Sequence, residues 1–305
     1  MLRELFLLRV SLGCSAAVLA GVVAANAYAA RIEFKTFYDG TRVEGSEVCF
    51  LPKSFEHDRV AGLLATREMK CLPADTILQI PRGEWYFYAR NEIGLVSPHR
   101  GEFSYLERSG AEDTYKSVRL EVVPAARLDV EPLRLGPEDR FFAWGRETPE
   151  YQAPVYMLEP GASTLLVPAG TSVIPIVSRN GTPVWIGRPA TPSARKTIAV
   201  VRSEPAADRM NVLAWIRLPT RRLPPEVPSA QPVIDIDGEI FTPLADFGPV
   251  RFGSFNAGAF YDLPKRPGSL RVRGGLWQAK SVAFSPGKGT HLFITDPLLL
   301  TPAPR

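Results

Sequence analysis

One arrangement of apolar and polar positions occurs three times along this chain. Each copy runs from an apolar residue to a Pro, meets a Gly within a few positions, and then alternates. The copies are Ile80-Pro81-Arg82-Gly83 before Glu84 to Arg90, Val167-Pro168-Ala169-Gly170 before Val173 to Val177, and Leu263-Pro264-Lys265-Arg266-Pro267-Gly268 before Ser269 to Arg273. Pro presets φ for the second position of a turn, and Gly suits the positions that close it. A period of two sends successive side chains to opposite faces, the mark of a strand with one buried face. In the first copy Trp85, Phe87 and Ala89 share one face, and Tyr86, Tyr88 and Arg90 share the other.

Strands extend on both sides of these marks. Arg31 to Phe37 alternates into Asp39-Gly40, Arg42 to Phe50 follows, and Ser117 to Val123 closes the first third. Asn180-Gly181 links Val173–Val177 to Pro183–Ile186 and is the best hairpin signal in the chain. Phe55 to Met69 carries Val60, Leu63 and Leu64 at helical spacing, with a long loop as the other reading. Pro219, Pro224, Pro225, Pro228 and Pro232 make residues 218–232 a stiff, extended connector.

The chain has 305 residues, with 29 Pro and 24 Gly and no strict Gly period, which suits many short strands and turns. Pro124-Ala125-Ala126 recurs as Pro205-Ala206-Ala207, at nearly the offset that separates Pro81 from Pro168. Two markers with similar offsets predict a duplicated unit with short loop insertions. The expected organisation is three domains, 30–125, 126–205 and 206–305, the last carrying the connector. The expected fold class is all-β, a tandem of Ig-like β-sandwiches.

Val43-Glu44-Gly45-Ser46-Glu47-Val48, taken with the stretch from Ile80 to Ala89, resembles the carboxypeptidase-regulatory-like (prealbumin-like) β-sandwich family. The resemblance covers residues 30–125. It implies a small β-sandwich without catalysis of its own, used as a spacer, scaffold or carbohydrate-adjacent module. The insertion at 51–70 and a Cys pair depart from that family's pattern.

Arg3 and Arg9 flank the start of the chain, Val10 to Ala25 is apolar, and Ala25-Asn26-Ala27 and Ala27-Tyr28-Ala29 follow. This predicts a signal peptide over 1–29, cleaved after Ala29, with a transmembrane anchor as the alternative. No later stretch is long and apolar enough to span a bilayer as a helix. The mature chain is therefore expected to be exported, periplasmic or extracellular, without a transmembrane segment. It keeps two cysteines, Cys49 and Cys71, and an even pair in an exported chain suggests a disulfide. Two buried thiols or a metal pair are the alternatives, and no metal is expected.

Net charge is +4 and the isoelectric point is near 9.0, well short of a nucleic-acid-binding chain. The basic excess lies late. No acid falls between Asp262 and Asp296, and Lys265, Arg266, Arg271, Arg273, Lys280 and Lys288 fill that gap. Arg271 and Arg273 are two apart and share a strand face. They mark a candidate surface for an envelope protein or an anionic envelope polymer, against an ordinary solvated strand face. Asp235, Asp237 and Glu239 alternate, which suits clustered oxygens for calcium, but Asp237-Gly238 is equally a hairpin turn. Tyr86, Tyr88 and Trp277 are candidates for stacking on a sugar, against a place in a sandwich core.

Catalytic signals are few. His57, His99 and His291 stand alone, and no nucleophile elbow, zinc-protease motif or phosphate loop occurs. No cofactor is expected. The function expected is a non-catalytic exported binding or scaffold component of the cell envelope. The alternatives are a carbohydrate-binding accessory protein and a secreted polysaccharide hydrolase with an unrecognised carboxylate pair.

Overall fold

The computed structural model describes residues 30–53, 69–80, 83–98, 101–105, 115–145, 155–217, 231–246, 256–273, 277–279 and 281–302. The signal segment 1–29, the helix-or-loop segment up to residue 68, residues 218–230 of the connector, Pro81 and Arg82 of the first turn, and Lys280 lie outside them. Among the described residues every regular element is a strand except one short 3-10 turn, Glu131–Leu133. The chain is all-β, as its periodicity predicts.

The strands fall into three sets. The first is β1 (Ala30–Tyr38), β2 (Thr41–Val43), β3 (Ser46–Lys53), β4 (Lys70–Pro73), β5 (Ile77–Ile80), β6 (Gly83–Asn91), β7 (Leu95–Val96), β8 (Gly101–Tyr105) and β9 (Tyr115–Glu121). The second is β10 (Val123–Asp129), β11 (Asp139–Gly145), β12 (Val155–Met157), β13 (Thr164–Pro168), β14 (Val173–Arg179), β15 (Thr182–Ile186) and β16 (Thr197–Ala199). The third is β17 (Arg209–Arg217), β18 (Gln231–Ile236), β19 (Glu239–Phe241), β20 (Ala245–Asp246), β21 (Asn256–Pro264), β22 (Gly268–Arg273), β23 (Trp277–Ala279), β24 (Val282–Phe284) and β25 (His291–Pro302).

One pairing order runs through all three sets. The opening strand (β1, β10, β17) pairs antiparallel with β5, β13 or β21 and parallel with the closing strand, β9, β16 or β25. A second strand (β3, β11, β18) pairs antiparallel with β4, β12 or β19 on one edge and with β6, β14 or β22 on the other. Each Pro–Gly mark thus lies where the chain leaves one sheet and enters the other: β5 to β6, β13 to β14, β21 to β22. That shared crossing is what the three similar stretches encode.

The Gly serves different physical ends in different copies. Gly170 sits at φ +74, a left-handed conformation that disfavours a Cβ. Gly268 has no positive φ, but a Cβ there would lie 2.8 Å from the Asp235 carbonyl oxygen, 2.8 Å from Ile236 and 2.9 Å from Phe284. Gly268→Ala is expected to lower stability by about 1–3 kcal/mol through overpacking, read as a lower urea midpoint; an unchanged midpoint would show that β18 yields freely. Asp39-Gly40, Asn180-Gly181 and Asp237-Gly238 each place both residues at positive φ, from 48 to 86. They close the β1–β2, β14–β15 and β18–β19 hairpins in the type I′ conformation that Asn-Gly and Asp-Gly favour.

Three apolar clusters fill the layers. Ile32, Phe34, Phe50, Phe87 and Leu120 make the first, with Phe34 edge-on to Phe50 at 5.6 Å and to Phe87 at 5.1 Å. Met210, Val212, Ile234, Tyr261 and Leu270 make the core of the third set. The middle cluster draws on all three sets: Cys49, Leu51, Tyr86 and Tyr88 from the first, Phe141, Tyr156 and Trp185 from the second, and Leu213 and Phe260 from the third. Strands β3 and β6 are therefore buried on both faces. Strand β10 joins the first two sets directly, since Val123 and Pro124 pair with β7 while Ala125 to Asp129 pair with β13. Residues 125 and 126, where a domain boundary is expected, are consecutive in that strand.

Candidate functional site

Antiparallel pairing of β18 with β22 sets Arg271 opposite Val233 and Ser269 opposite Asp235. Arg271 and Asp235 are thus diagonal neighbours, within reach of a long side chain, and they form an ion pair. Arg266 Nη1 lies 3.2 Å from Asp237 Oδ2. Asp235 Oδ1 also accepts the Gly238 N–H at 2.8 Å, closing the hairpin. The carboxylates that suggest calcium are the ones that partner the cations that suggest an anionic ligand. Asp235 and Asp237 are paired with arginines, and Asp235 also with the turn. Lys265 Nζ donates to the Lys288 carbonyl at 2.9 Å. Arg271, Arg266 and Lys288 remain solvent-exposed, Arg273 and Trp277 lie in β22 and β23, and Glu239 opens β19.

Tyr86 and Tyr88 are 5% and 2% exposed, so neither offers a ring to a sugar. The expectation failed because the second face of β6 is covered by the second set. Tyr88 stacks edge-on against Tyr156 at 5.2 Å, and its hydroxyl lies 3.4 Å from the Met157 carbonyl and 3.3 Å from Met69 sulfur. Tyr156 donates its hydroxyl to the Ser97 carbonyl at 2.8 Å. Burial raises the pKa of both phenols. At the rim Arg90 reaches Glu47 at 3.0 Å and Glu159 at 2.9 Å, an ion-pair network that spans the two sets. A sequence signal for this burial existed: Trp85 to Ala89 is apolar or aromatic at every position, the pattern of a strand covered on both sides.

Cys49 and Cys71 form a disulfide between directly opposed positions of β3 and β4. Cys49 is fully buried and belongs to the middle cluster, so the bridge lies on the face of β3 that meets the second set.

Beside the apolar contact of Leu213 and Phe260 with the middle cluster, the second and third sets share a polar network whose residues carry no motif. His291 Nδ1 accepts the Ile186 N–H at 3.3 Å, and His291 Nε2 lies 2.8 Å from Glu204 Oε2. Thr290 donates its hydroxyl to the same Glu204 oxygen at 2.6 Å. Asn211 Nδ2 donates to the Ile186 carbonyl at 2.9 Å. Asp262 receives Arg209 at 2.7 Å and Arg188 at 3.0 Å, joining the second set to β21. Trp185 stands edge-on to the His291 ring at 6.4 Å. Strand register brings these groups together from positions far apart in sequence: Asn211 pairs with His291 on one side and with Asp262 on the other.

An open cleft of about 410 Å³ lies between the 3-10 turn and the β12–β13 connection, lined by Leu135, Pro137, Arg140, Phe141 and Glu159 among others. Of its three carboxylates, Glu131, Asp139 and Glu159, two are paired. Asp139 is gripped by Arg179 at 2.8 Å, which holds its pKa below the ordinary value, and Glu159 pairs with Arg90. Among the described residues no group of three or more His, Cys, Asp or Glu is arranged to hold a metal ion, and no helix is long and apolar enough to cross a membrane.

No protein-family model matches the chain, and no curated protein matches it. Several solved structures are similar to it at low scores. A leucine-rich repeat protein from Bacteroides thetaiotaomicron matches over 58% of this chain with 7% identity and a TM-score of 0.30, and the match spans 26% of that protein. A putative adhesin from Bacteroides ovatus matches over 52% of this chain and 75% of its own, with 11% identity and a TM-score of 0.22. The major pilin subunit of Bacillus cereus matches over 87% of this chain and 98% of its own, with 10% identity and a TM-score of 0.21.

Proposed function

We propose that this chain is an exported, non-catalytic component of a cell envelope, in which three β-sandwiches held as one stiff body present a surface to a partner. The observation that carries this reading is the continuity of packing. Strand β10 belongs to two sets of strands, and the middle cluster takes side chains from all three. A chain of independent modules would leave flexible linkers and polar facing surfaces between them. The domain limits 30–125, 126–205 and 206–305 fit this reading as packed units rather than loose beads. The resemblance of 30–125 to carboxypeptidase-regulatory-like modules supports a spacer or scaffold role. The signal-peptide features of 1–29 and the Cys49–Cys71 bridge support an oxidising, exported setting.

The surface assigned to the partner is the basic stretch of Lys265, Arg266, Arg271, Arg273, Lys280 and Lys288, and its partner is an anionic envelope polymer or an acidic protein face. Arg271 and Arg266 must exchange their internal carboxylates for that partner, so binding is expected to be modest and to fall with salt. Asp235→Asn with Asp237→Asn frees both arginines. The double variant is expected to bind purified envelope material several-fold more tightly in co-sedimentation at low salt, and Arg271→Glu to bind less. Equal binding by all three proteins removes this surface from the function. Binding abolished by protease treatment of the envelope material assigns the partner as a protein.

A further inference from the structure

We propose that the contact between the second and third sets is a pH-responsive joint, closed while His291 is neutral and loosened when it takes a proton. The geometry fixes the tautomer. The Ile186 N–H points at His291 Nδ1, so Nδ1 must carry a lone pair and Nε2 must carry the hydrogen that faces Glu204. A second proton has one place to go, Nδ1. There it sets an N–H against an N–H and breaks the bond that ties β15 to β25. The amide of Ile186, a fully buried residue, then has no acceptor.

The surroundings of His291 do not supply a compensating acceptor. From the connection before β17 it faces Glu204 and Arg202, from β15 the Trp185 ring and the Ile186 amide, and from the residue just before its own strand Thr290. From β17 it faces the neutral Asn211, whose side chain is already committed to the Ile186 carbonyl. Asp262 is held by Arg209 and Arg188 and does not reach the ring. Glu204 attracts the protonated ring, but it is shared with the Thr290 hydroxyl and lies 3.3 Å from Arg202.

The direction of titration agrees. Burial lowers the His291 pKa from 6.5, outweighing the bond to Glu204, which raises it. Burial would raise the Glu204 carboxyl, but the bonds from Thr290 and His291 prevail and lower it below 4.5. The folded chain therefore binds fewer protons at His291 than the unfolded chain does. The closed joint is fully stable above pH 6.5 and weakens as pH falls below it. Glu204 stays ionised through that window and adds its own loss only below its unfolded value.

Two measurements on the full chain test this. Hydrogen exchange at the Ile186 amide, corrected for intrinsic rates, is expected to lose about tenfold or more of its protection between pH 7.5 and pH 5.0. In His291→Gln, whose amide accepts and donates at comparable positions without titrating, protection should hold across that range. An equal loss in both proteins, or none in the native chain, overturns the proposal. If the variant does not fold, the imidazole resonances of the native chain decide. His291 must titrate below 6.5 and the Ile186 amide shift must follow the same curve; titration at or above 6.5 overturns it.

Discussion

Tyr156→Ala is expected to lower the stability of the chain by about 3–5 kcal/mol, the usual loss for removing a large buried aromatic. Tyr156 is fully buried and stacks edge-on against Tyr88 at 5.2 Å. Its hydroxyl is bonded to the Ser97 carbonyl, and Ser97 is itself held to β6 because its amide and its hydroxyl both bond to Ala89 at 2.8 Å. Truncation opens a cavity between the first two sets of strands and leaves the Ser97 carbonyl without its donor. Tyr156→Phe keeps the ring and removes only the hydrogen bond, so its expected effect is about 1 kcal/mol. Urea unfolding followed by tryptophan fluorescence distinguishes the two. Because several packed units need not unfold in one step, the first transition is the one to compare. A loss below about 1 kcal/mol for the alanine variant would mean that the middle cluster does not couple the sets.

The second large effect is expected from the disulfide. Cys49→Ala with Cys71→Ala removes a bridge that spans 22 positions, and chain entropy alone puts the loss at about 3 kcal/mol. The bridge joins β4 to β3 at the edge of a sheet, on the face that meets the second set, and Met69, beside β4, touches the Tyr88 hydroxyl. Loss of the bridge should therefore reduce the first unfolding midpoint and increase exchange in β4. Reductant acting on the native chain should reproduce the shift once two free thiols are titrated. Two titrated thiols with an unmoved midpoint would show that the β3–β4 ladder holds that edge without help.

Much of the fold is written locally. Alternation fixes a strand, and Asp39-Gly40, Asn180-Gly181 and Asp237-Gly238 fix three hairpins, because Asn, Asp and Gly tolerate positive φ at little cost. The Pro–Gly marks fix three crossings between layers. Those features depend on residues within a few positions of one another. The candidate site is different. Lys265 to Lys288 reads as an uncompensated basic run only while Asp235 and Asp237 are counted as distant. Strand pairing brings them within reach of Arg271 and Arg266. His291 carries no motif, and its neighbours Ile186, Glu204 and Thr290 meet only when β15 docks against β25.

The all-β class, the turn chemistry, the cysteine pair and the assignment of Tyr86 and Tyr88 to one face of β6 can be read from the order of residues alone. What lies against that face, which acids meet which arginines, and where a lone histidine finds an acceptor's role follow from the packing of the folded strands. A period of two says that the two faces of a strand differ, but it does not say which layer covers each. That choice depends on the docking of strands remote in sequence, where one shared strand, β10, and one tyrosine pair replaced the solvent that the alternation implied.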